Sequence, residues 1–528
     1  MKPEFLERRL LLTGLIIAAL FILYIFQAPI SHSIYFFSDD AYYYFKVAYN
    51  IVNDKGISFD TYNPSNGFHP LWMLVILPIF KFFSSDIETP IRLILSLQAL
   101  LTVFSFWLLW RYSSTHFNRQ YAVIASFLLL AFASPILIAL NGLESALLLF
   151  WMLLMLHLDS KYNLLTDQTI NNKLLVGLLF GILFLIRLDT AYIVIAVALF
   201  KIFQKPDDIS LAKNIIRQIF IYIPSIIVFS FFALAYFAWN YTHFGHLSPI
   251  SGTIKSSFPT PYIDVNFNAG AVPYIAAFLV IVLWVVFQLL RNRKQIKDIA
   301  QQQPILFCFF TGTIIHFLWS MLFMRWAVFQ WHFTTYIPVI VLFALFIIRN
   351  ILQNRNKALM ALSILTGFLV TSYTLVIYFD KGQHLEYVQN SALWFKEHSR
   401  PNEAIAIADA GIFGYFSERP TVNLDGLINS YEFQESIVNG SIKDLLLSQN
   451  VKYIAHTYTN CDYSSKNIPI LAYKGKLRYS PTGYVVTLYK EDEFFISEPI
   501  TYRPLSENKT SCLVIWKLPY NRFLPILK

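Results

Sequence analysis

The stretch that decides the fold is LLLTGLIIAALFILYIFQAPI, residues 10–30, followed after a short gap by SDDAYYYF, residues 38–45. An apolar run of this length can cross a bilayer as an α-helix, which needs about 20 residues. Arg8 and Arg9 precede the run and no small-residue cleavage site follows it, so we interpret it as an uncleaved first span. Asp39 and Asp40 therefore stand where the chain leaves the membrane.

A carboxylate pair at this boundary predicts a functional site. Ionisable groups at a membrane face are costly to desolvate, and paired like charges raise each other's pKa. Asn or Ser would serve a purely structural role there. Asp39 and Asp40 are better suited to acid/base chemistry or to metal binding.

The composition excludes an ordinary soluble protein. Apolar residues make up 56% of the chain and charged residues 14%, against about 45–50% and about 25% in soluble domains. The net charge of +9 could suggest nucleic acid. Most basic residues before position 380, however, lie in short loops between apolar runs, which indicates a positive-inside membrane topology. We expect a lipid bilayer as the environment and no nucleic-acid partner.

Twelve apolar runs have helical length, but the basic loops favour fewer crossings. If all twelve crossed, the loop at 201–217 would lie outside, against its four basic residues. The run His69–Phe83 is short and carries Pro70 and Pro78, so we interpret it as a helix that lies on the outer face. The runs lie near 10–30, 69–83, 91–110, 120–140, 143–158, 173–187, 190–203, 218–240, 271–290, 304–323, 333–349 and 358–379.

This topology predicts a polytopic α-helical membrane protein of about 11 spans. Residues 1–379 form the membrane domain, in which 31–90 is a first outer loop with the acidic motif and juxtamembrane helices. Residues 380–528 form an extracytoplasmic α/β or α+β domain.

The unusual polar groups of the membrane domain then collect on the outer face. Buried or half-buried charges gathered at one membrane face indicate a site. Some have structural alternatives: Arg187 and Asp189 could only pair to fix a tight turn, Arg92 could only extend to the interface, and His316 fits a hydrogen-bonded packing residue. The predicted site residues are Asp39, Asp40, His69, Arg92, Asn141, Glu144, Arg187, Asp189, His243, His246, Lys255, Arg325 and His332.

Carboxylates beside several cations suit a substrate with a lipid tail and a phosphate head. Arg187 and Arg325, with Arg92 and Lys255 as further candidates, would hold the phosphate. One carboxylate would deprotonate an acceptor hydroxyl, and the other would support it or hold a divalent metal such as Mg, Mn or Ca, with Asp40 as the candidate ligand. This chemistry is glycosyl transfer from a polyprenyl-phosphate sugar to a glycan, lipid or protein acceptor.

The same residues resemble a known group of enzymes. Ser38-Asp39-Asp40-Ala-Tyr-Tyr-Tyr resembles the acidic motif of the GT-C superfamily of membrane glycosyltransferases, and Asn-Gly-Phe-His-Pro-Leu-Trp72 is similar to their outer-face helix. Asn141-Gly-Leu-Glu-Ser145 and Arg187-Leu-Asp-Thr190 resemble elements of the mycobacterial-arabinofuranosyltransferase-like branch, although Leu188 and Thr190 depart from its pattern.

This resemblance covers roughly the first 200 residues and implies a bacterial inner-membrane enzyme whose active site and C-terminal domain face the periplasm or exterior. It makes Asp39 the favoured base, whereas the bare sequence does not rank Asp39 above Asp40. The stretch from Gly414 to Gly426 is similar to the soluble tail of some bacterial relatives. The Trp-Trp-Asp motif of oligosaccharyltransferases is absent.

The C-terminal segment has the pattern of a small mixed domain. Residues 384–398 predict an amphipathic helix, 403–408, 451–455 and 483–489 predict strands, and Gly411 and Gly414 predict turns. The domain would serve either as a stabilising lid or as an acceptor-binding module.

The three cysteines allow one further prediction. Cys461 and Cys512 lie in the predicted outer domain, where an oxidising compartment would permit a disulfide, and two buried free thiols are the alternative. Cys308 lies within a span and should stay reduced.

A transporter or flippase of a lipid-linked or anionic substrate is the alternative function. It predicts charges in the middle of spans and inverted repeats, and neither is evident in the sequence.

Overall fold

The computed structural model describes residues 3–132, 138–204, 206, 209–262, 265–351, 384–439, 441–459, 501–504 and 511–517. The apolar runs within these ranges form helices, because a helix satisfies its backbone hydrogen bonds within a single segment. The helices before residue 352 are α1 (Pro3–Gln27), α2 (Ile30–Ile34), α3 (Asp39–Val52), α4 (Pro70–Phe82), α5 (Thr89–His116), α6 (Arg119–Phe132), α7 (Ser145–Tyr162), α8 (Ile170–Ile186), α9 (Ala191–Phe203), α10 (Leu211–Phe244), α11 (Ile250–Lys255), α12 (Val272–Arg291), α13 (Arg293–Gln302), α14 (Pro304–Phe323) and α15 (Tyr336–Ile351).

Ten of these helices coincide in sequence with ten of the eleven predicted spans: α1, α5 to α10, α12, α14 and α15. The last predicted span, 358–379, lies outside the described residues. By length and composition, five described helices could cross a membrane, which confirms a multi-pass helical membrane protein. Those five are Glu7–Gln27, Thr89–His116, Leu211–Phe244, Ala269–Arg291 and Pro304–Phe323.

Helix α4 has both of its ends on the same side of the molecule. Before it, a Cβ added to Gly67 would lie 2.1 Å from the Leu427 carbonyl oxygen of the C-terminal domain. After it, the Ile87 carbonyl accepts a 2.6 Å hydrogen bond from the Tyr415 hydroxyl of the same domain. These contacts agree with the prediction that the segment His69–Phe83 does not cross.

The predicted basic loops meet at the opposite end of the bundle. Arg111 Nε lies 3.6 Å from Glu7 Oε2 near the start of α1. At the same end, the Tyr112 hydroxyl donates a 2.8 Å bond to Gln303, and the Lys201 ammonium donates to the Leu165 carbonyl. This clustering is what the positive-inside rule requires if that end is cytoplasmic.

The C-terminal part contains a mixed sheet, which confirms the predicted helix-and-strand domain. Its described strands run in the order β2-β1-β3-β5-β4. Strand β1 pairs in parallel with β2 and β3, and β5 pairs antiparallel with β3 and β4. The elements are α16 (384–398), β1 (Ala404–Ile407), α17 (Gly411–Ser417), β2 (Thr421–Asn423), α18 (Tyr431–Val438), α19 (Ile442–Ser448), β3 (Val451–Thr459), β4 (Thr501–Pro504) and β5 (Ser511–Lys517).

One prediction about this domain is wrong, and another is not tested. Gly411 and Gly414 do not form turns but lie in α17, and the reason for glycine is close packing. A Cβ at Gly411 would lie 2.1 Å from the Asp39 carbonyl oxygen, and one at Gly414 would lie 2.6 Å from the Phe59 ring. The predicted strand 483–489 lies outside the described residues.

The cysteine predictions are tested only in part. Cys308 is a buried free thiol, as predicted. Cys512 is buried in β5, whereas Cys461 lies outside the described residues. The Cys461–Cys512 disulfide stays a prediction.

Candidate active site

A polar pocket of about 80 Å³ lies where the membrane domain meets the C-terminal domain. It joins the start of α3, the turns before α4, α7 and α9, the short helix α11 and the loop before α15. Its lining contains six of the thirteen predicted site residues. Those six are Asp40, His69, Glu144, Arg187, Lys255 and His332.

The turn before α7 is held from three sides and presents Glu144 to the pocket. Asn141 accepts hydrogen bonds from the Ser38 backbone N–H at 3.0 Å and from its hydroxyl at 3.2 Å. Trp72 donates to the Gly142 carbonyl at 3.0 Å. Gly142 has φ +83°, and a Cβ there would lie 2.5 Å from Ala41 Cβ, so only glycine fits. Asn141 is thus a supporting residue that joins this turn to the start of α3.

Arg187 is already occupied by protein partners. Its guanidinium donates to the Asp189 carboxylate through Nε at 3.1 Å and through Nη2, and to the Trp331 carbonyl at 2.8 Å. Glu144 Oε1 lies 3.7 Å from Arg187 Nε. Burial would raise the pKa of Asp189, but Arg187 and His316 lower it well below its ordinary value. The departures at Leu188 and Thr190 do not prevent the turn, because the Thr190 hydroxyl donates to the Arg187 carbonyl at 2.7 Å.

Two histidines in the pocket are kept neutral. Burial lowers the pKa of His69, and Arg187 lowers it further, although Glu144 raises it. Burial lowers the pKa of His332 well below its ordinary value, with Lys255 and Arg187 adding to the effect. His332 Nδ1 lies 3.1 Å from the Phe329 backbone nitrogen and 3.2 Å from the Phe329 carbonyl oxygen. A neutral imidazole carries one N–H group and one acceptor nitrogen.

Lys255 is the cation of the pocket that remains available. No hydrogen bond or ion pair to its ammonium group is found among the residues that the structure describes. The helix that carries it, α11, is held by Arg325, which donates to the Ile254 carbonyl at 3.0 Å and to the Thr253 carbonyl at 3.2 Å. Arg325 thus acts one step away from the pocket.

The adjacent aspartates point to different surroundings. Asp40 lines the pocket. Asp39 instead accepts the backbone N–H groups of Gly411 at 2.9 Å and Ile412 at 2.8 Å, at the start of α17. Burial raises the pKa of Asp39 well above its ordinary value, and the charge of Asp409 adds to this, whereas the two N–H donors oppose it.

Three other predicted residues lie outside the pocket. Arg92 donates to the Ile25 and Ala28 carbonyls and pairs with Glu88 at 3.3 Å, so it fastens α5 to the end of α1. His243 is exposed and bonds to the Trp239 carbonyl of its own helix at 2.9 Å. His246 is exposed and stacks on Tyr431 of the C-terminal domain, with 3.5 Å between ring centroids. They do not contact the other predicted site residues.

Sequence reasoning missed several residues of the pocket wall. Tyr44 links two predicted ones, because its hydroxyl accepts the His69 backbone N–H at 3.0 Å and donates to Glu144 Oε2 at 3.4 Å. The run of three tyrosines after Asp40 could have indicated this, since residues four apart share a helix face. No local signal marks the others. The additional lining residues are Tyr43, Tyr44, Gly67, Leu143, Ser251, Trp331 and Leu427.

The predicted metal has no evident ligand set. Among the described residues, no group of three His, Cys, Asp or Glu side chains could share a metal ion. Asp40 alone does not fit the coordination that divalent cations require from a protein. Metal dependence stays a prediction, and we derive no step through a metal.

Two segments of this chain match family models. Residues 69–237 match the family described as dolichyl-phosphate-mannose-protein mannosyltransferase. Residues 376–501 match a domain of unknown function, DUF8728. None of the curated proteins shows significant sequence similarity to this chain.

Among solved structures, the chain is similar to an archaeal oligosaccharyltransferase, AglB from Archaeoglobus fulgidus, with 14% identity, 94% of this chain and 76% of the other covered, and a TM-score of 0.45. It is also similar to ArnT from Cupriavidus metallidurans. The apo form gives 11% identity, 90% and 93% coverage and a TM-score of 0.49, and the form bound to undecaprenyl phosphate gives 12%, 92% and 96%, and 0.48. All three TM-scores lie below 0.5.

The match over residues 69–237 agrees with the resemblance predicted from the motifs at the level of a membrane glycosyltransferase. Its matched segment includes His69, Asn141, Glu144, Arg187 and Asp189. The match is to transferases, which favours an enzyme over a transporter or flippase. The more specific resemblance to the arabinofuranosyltransferase-like branch stays a prediction.

Proposed function

We propose that the protein transfers a sugar from a polyprenyl-phosphate carrier to an acceptor hydroxyl of a glycan, lipid or protein, with Asp40 as the general base. One observation carries this proposal: two carboxylates (Asp40 and Glu144), an available ammonium group and two neutral histidines line a single pocket. This combination serves proton removal from the acceptor and charge stabilisation of a phosphate leaving group.

The reaction that fits these groups is a single displacement. The Asp40 carboxylate accepts the proton of the acceptor hydroxyl, and the acceptor oxygen attacks the anomeric carbon of the sugar. The bond between that carbon and the phosphate oxygen breaks, and polyprenyl phosphate leaves with the electron pair. Asp40 is suited to this role because it lines the pocket, while both carboxylate oxygens of Asp39 accept backbone N–H groups.

Lys255 is the preferred phosphate ligand in this scheme. Its ammonium group would neutralise the charge that develops on the leaving phosphate, and the imidazole of His332 lines the same pocket. Arg187 lines the same pocket, but its guanidinium group already donates hydrogen bonds to Asp189 and to the Trp331 carbonyl. We assign Arg187 to fixing the turn before α9 and to the positive field of the pocket, and Arg325 to supporting α11.

We further propose that the pocket and the C-terminal domain face the outside of a bacterial inner membrane. The basic loops at the opposite end of the bundle support this orientation. A cysteine at exposed Ser85 should react with an impermeant thiol reagent added outside whole cells. A control cysteine at Thr166, exposed at the opposite end, should react only after the membrane is opened. The reverse pattern would reject the orientation.

The activity is tested with purified protein and a panel of polyprenyl-phosphate sugars, by mass spectrometry of sugar released from the carrier. We expect Asp40→Asn to keep donor binding and to lose transfer by on the order of 10²–10⁴, the usual effect of removing a general base. Wild-type activity in Asp40→Asn would reject this residue as the base. Absence of turnover of every donor by the wild-type protein, despite donor binding, would favour a binding or transport role instead.

A further inference from the structure

Two adjacent carboxylates at the start of α3 serve different domains. Asp40 lines the pocket, and Asp39 receives two N–H groups from Gly411 and Ile412 of the C-terminal domain. Successive residues of a helix point about 100° apart, so one helical turn can face both surroundings at once. The orientation of Asp40 is therefore tied to whatever fixes Asp39.

The contact at Asp39 requires close approach of the two backbones. A Cβ on Gly411 would lie 2.1 Å from the Asp39 carbonyl oxygen and 2.7 Å from its Oδ2. Both are far below any real Cβ contact, so an alanine at position 411 would push α17 away from α3. The interaction can thus be broken from the C-terminal domain without altering either aspartate.

A second contact lies one turn further along α3. Tyr43, on the same helix face as Asp39, is buried and donates its hydroxyl to Asp425 Oδ2 at 3.0 Å. The Asn423 amide donates to the Tyr43 hydroxyl at 3.1 Å and to Asp425 Oδ2 at 2.9 Å. Tyr43 also lines the pocket, as does Leu427, which follows Asp425 in the C-terminal domain. The C-terminal domain therefore forms part of the pocket wall.

We propose that Asp39 is a positioning residue that couples docking of the C-terminal domain to the orientation of Asp40, so that this domain is a working part of the transferase. The inference rests on the proposed function, because it assigns to Asp39 an effect on the reaction catalysed through Asp40. It differs from the role that the family resemblance implies for Asp39. A carboxylate with both oxygens engaged by backbone donors is poorly placed to take a proton from a substrate.

The experiment compares Asp39→Asn, Gly411→Ala, their double variant and Asp40→Asn in the full-length protein, with Gly252→Ala as the control. The nearest atom to a Cβ at Gly252 is 3.5 Å away, an ordinary contact. We expect Asp39→Asn and Gly411→Ala each to lower kcat by on the order of 10², the effect of misplacing a reacting group. Donor KM should change little, and the limb of the pH profile that reports the base should remain. Asp39→Asn and Gly411→Ala break the same contact. The kcat of the double variant should therefore be no lower than that of either single variant.

Tyr43→Phe provides a milder variant, since it removes only the hydroxyl that Asp425 accepts. It should lower kcat in the same direction and make the C-terminal domain easier to release by limited proteolysis. Two results together would overturn the proposal: Asp39→Asn abolishes the part of the pH profile that reports the general base, and Gly411→Ala leaves kcat unchanged. Asp39 would then be the base. Wild-type kcat in Asp39→Asn, Gly411→Ala and Tyr43→Phe would equally overturn it. Full activity of Asp40→Asn would instead contradict the proposed function, so the two failures are distinguishable.

Discussion

The pocket and the docking face of α3 are two charged regions built in opposite ways. At the pocket wall, the Arg187 guanidinium lies beside the Glu144 carboxylate, which also lines the pocket, and pairs with the Asp189 carboxylate behind it, so charge meets opposite charge. At the docking face, Asp39 and Asp425 are held by neutral donors: backbone N–H groups, a tyrosine hydroxyl and an asparagine amide.

The pKa values follow this difference. In the pocket, burial raises the pKa of Asp189 but Arg187 lowers it well below its ordinary value. At the docking face, burial raises the pKa of Asp409 to about 7, and the charges of Asp425 and Asp40 contribute. The pair of Asp189 and Arg187 is therefore stabilised when Asp189 is ionised, whereas ionisation of Asp39 and Asp409 at the docking face is disfavoured by their burial.

The largest expected effect comes from matched Asp→Asn changes in the two regions. Asp189→Asn leaves a buried Arg187 without its bidentate partner, and we expect a loss of about 3–5 kcal/mol in unfolding free energy. Asp425→Asn removes charge-assisted bonds from neutral donors only, with an expected loss of about 1.5–3 kcal/mol. Denaturant unfolding in detergent measures both. An equal or larger loss for Asp425→Asn would remove the distinction between the regions.

The next effect concerns the cation that the pocket leaves available. Lys255→Gln removes the charge that we assign to the donor phosphate, so donor KM should rise by about 10- to 100-fold, which corresponds to a charged hydrogen bond of about 1.5–3 kcal/mol. The exposed Lys81→Gln is the control and should leave KM unchanged. If donor KM is the same in both variants, the donor phosphate is held elsewhere. The pocket would then offer the phosphate no more positive charge than the docking face does.

The two regions should respond to pH with opposite sign. The pKa of Asp189 is lowered on folding, so its contribution is present above the unfolded value of about 4 and is lost as the pH falls below it. The pKa of Asp409 is raised to about 7, so it favours the docked state at low pH and opposes docking as the pH rises from about 4 through 7. Asp409→Asn should weaken the upper transition in a proteolysis assay of domain release, to which Asp39 with its raised pKa also contributes, while Asp189→Asn abolishes only the acid one. A single transition shared by both variants would argue against separate regions.

The smallest effect is expected at the rim of the docking face. His246 stacks on Tyr431 at an interplanar angle of 12°, and such pairs contribute about 0.5–1.5 kcal/mol. His246→Ala should therefore make the C-terminal domain slightly easier to release by protease, with kcat and KM unchanged. A large loss of activity would mean that the rim, and not only Asp39 and Tyr43, controls the site.

Much of the membrane part could be predicted from residue type and order alone. Apolar runs become helices because lipid offers the backbone no hydrogen-bond partners, and Pro70 with the short run up to Phe83 predicted a segment that stays on one side. The order of the motifs also brought His69, Glu144 and Arg187 to the site, since turns between successive spans return to the same end. Gly411 and Gly414 were misinterpreted because a close approach between distant segments leaves no local signal.

The sequence by itself determined the class of the protein, the face on which its polar groups gather and the acidic pair that begins α3. Only the tertiary structure decided which member of that pair lines the pocket and that Arg187 pairs with Asp189, whereas Lys255 has no ion-pair partner within the described part of the chain. The physical reason is that hydrophobic pattern and helix length act locally, over one span at a time. The partner of a charged side chain depends on segments far apart in sequence, as when Gly411 of the C-terminal domain donates its backbone N–H to Asp39.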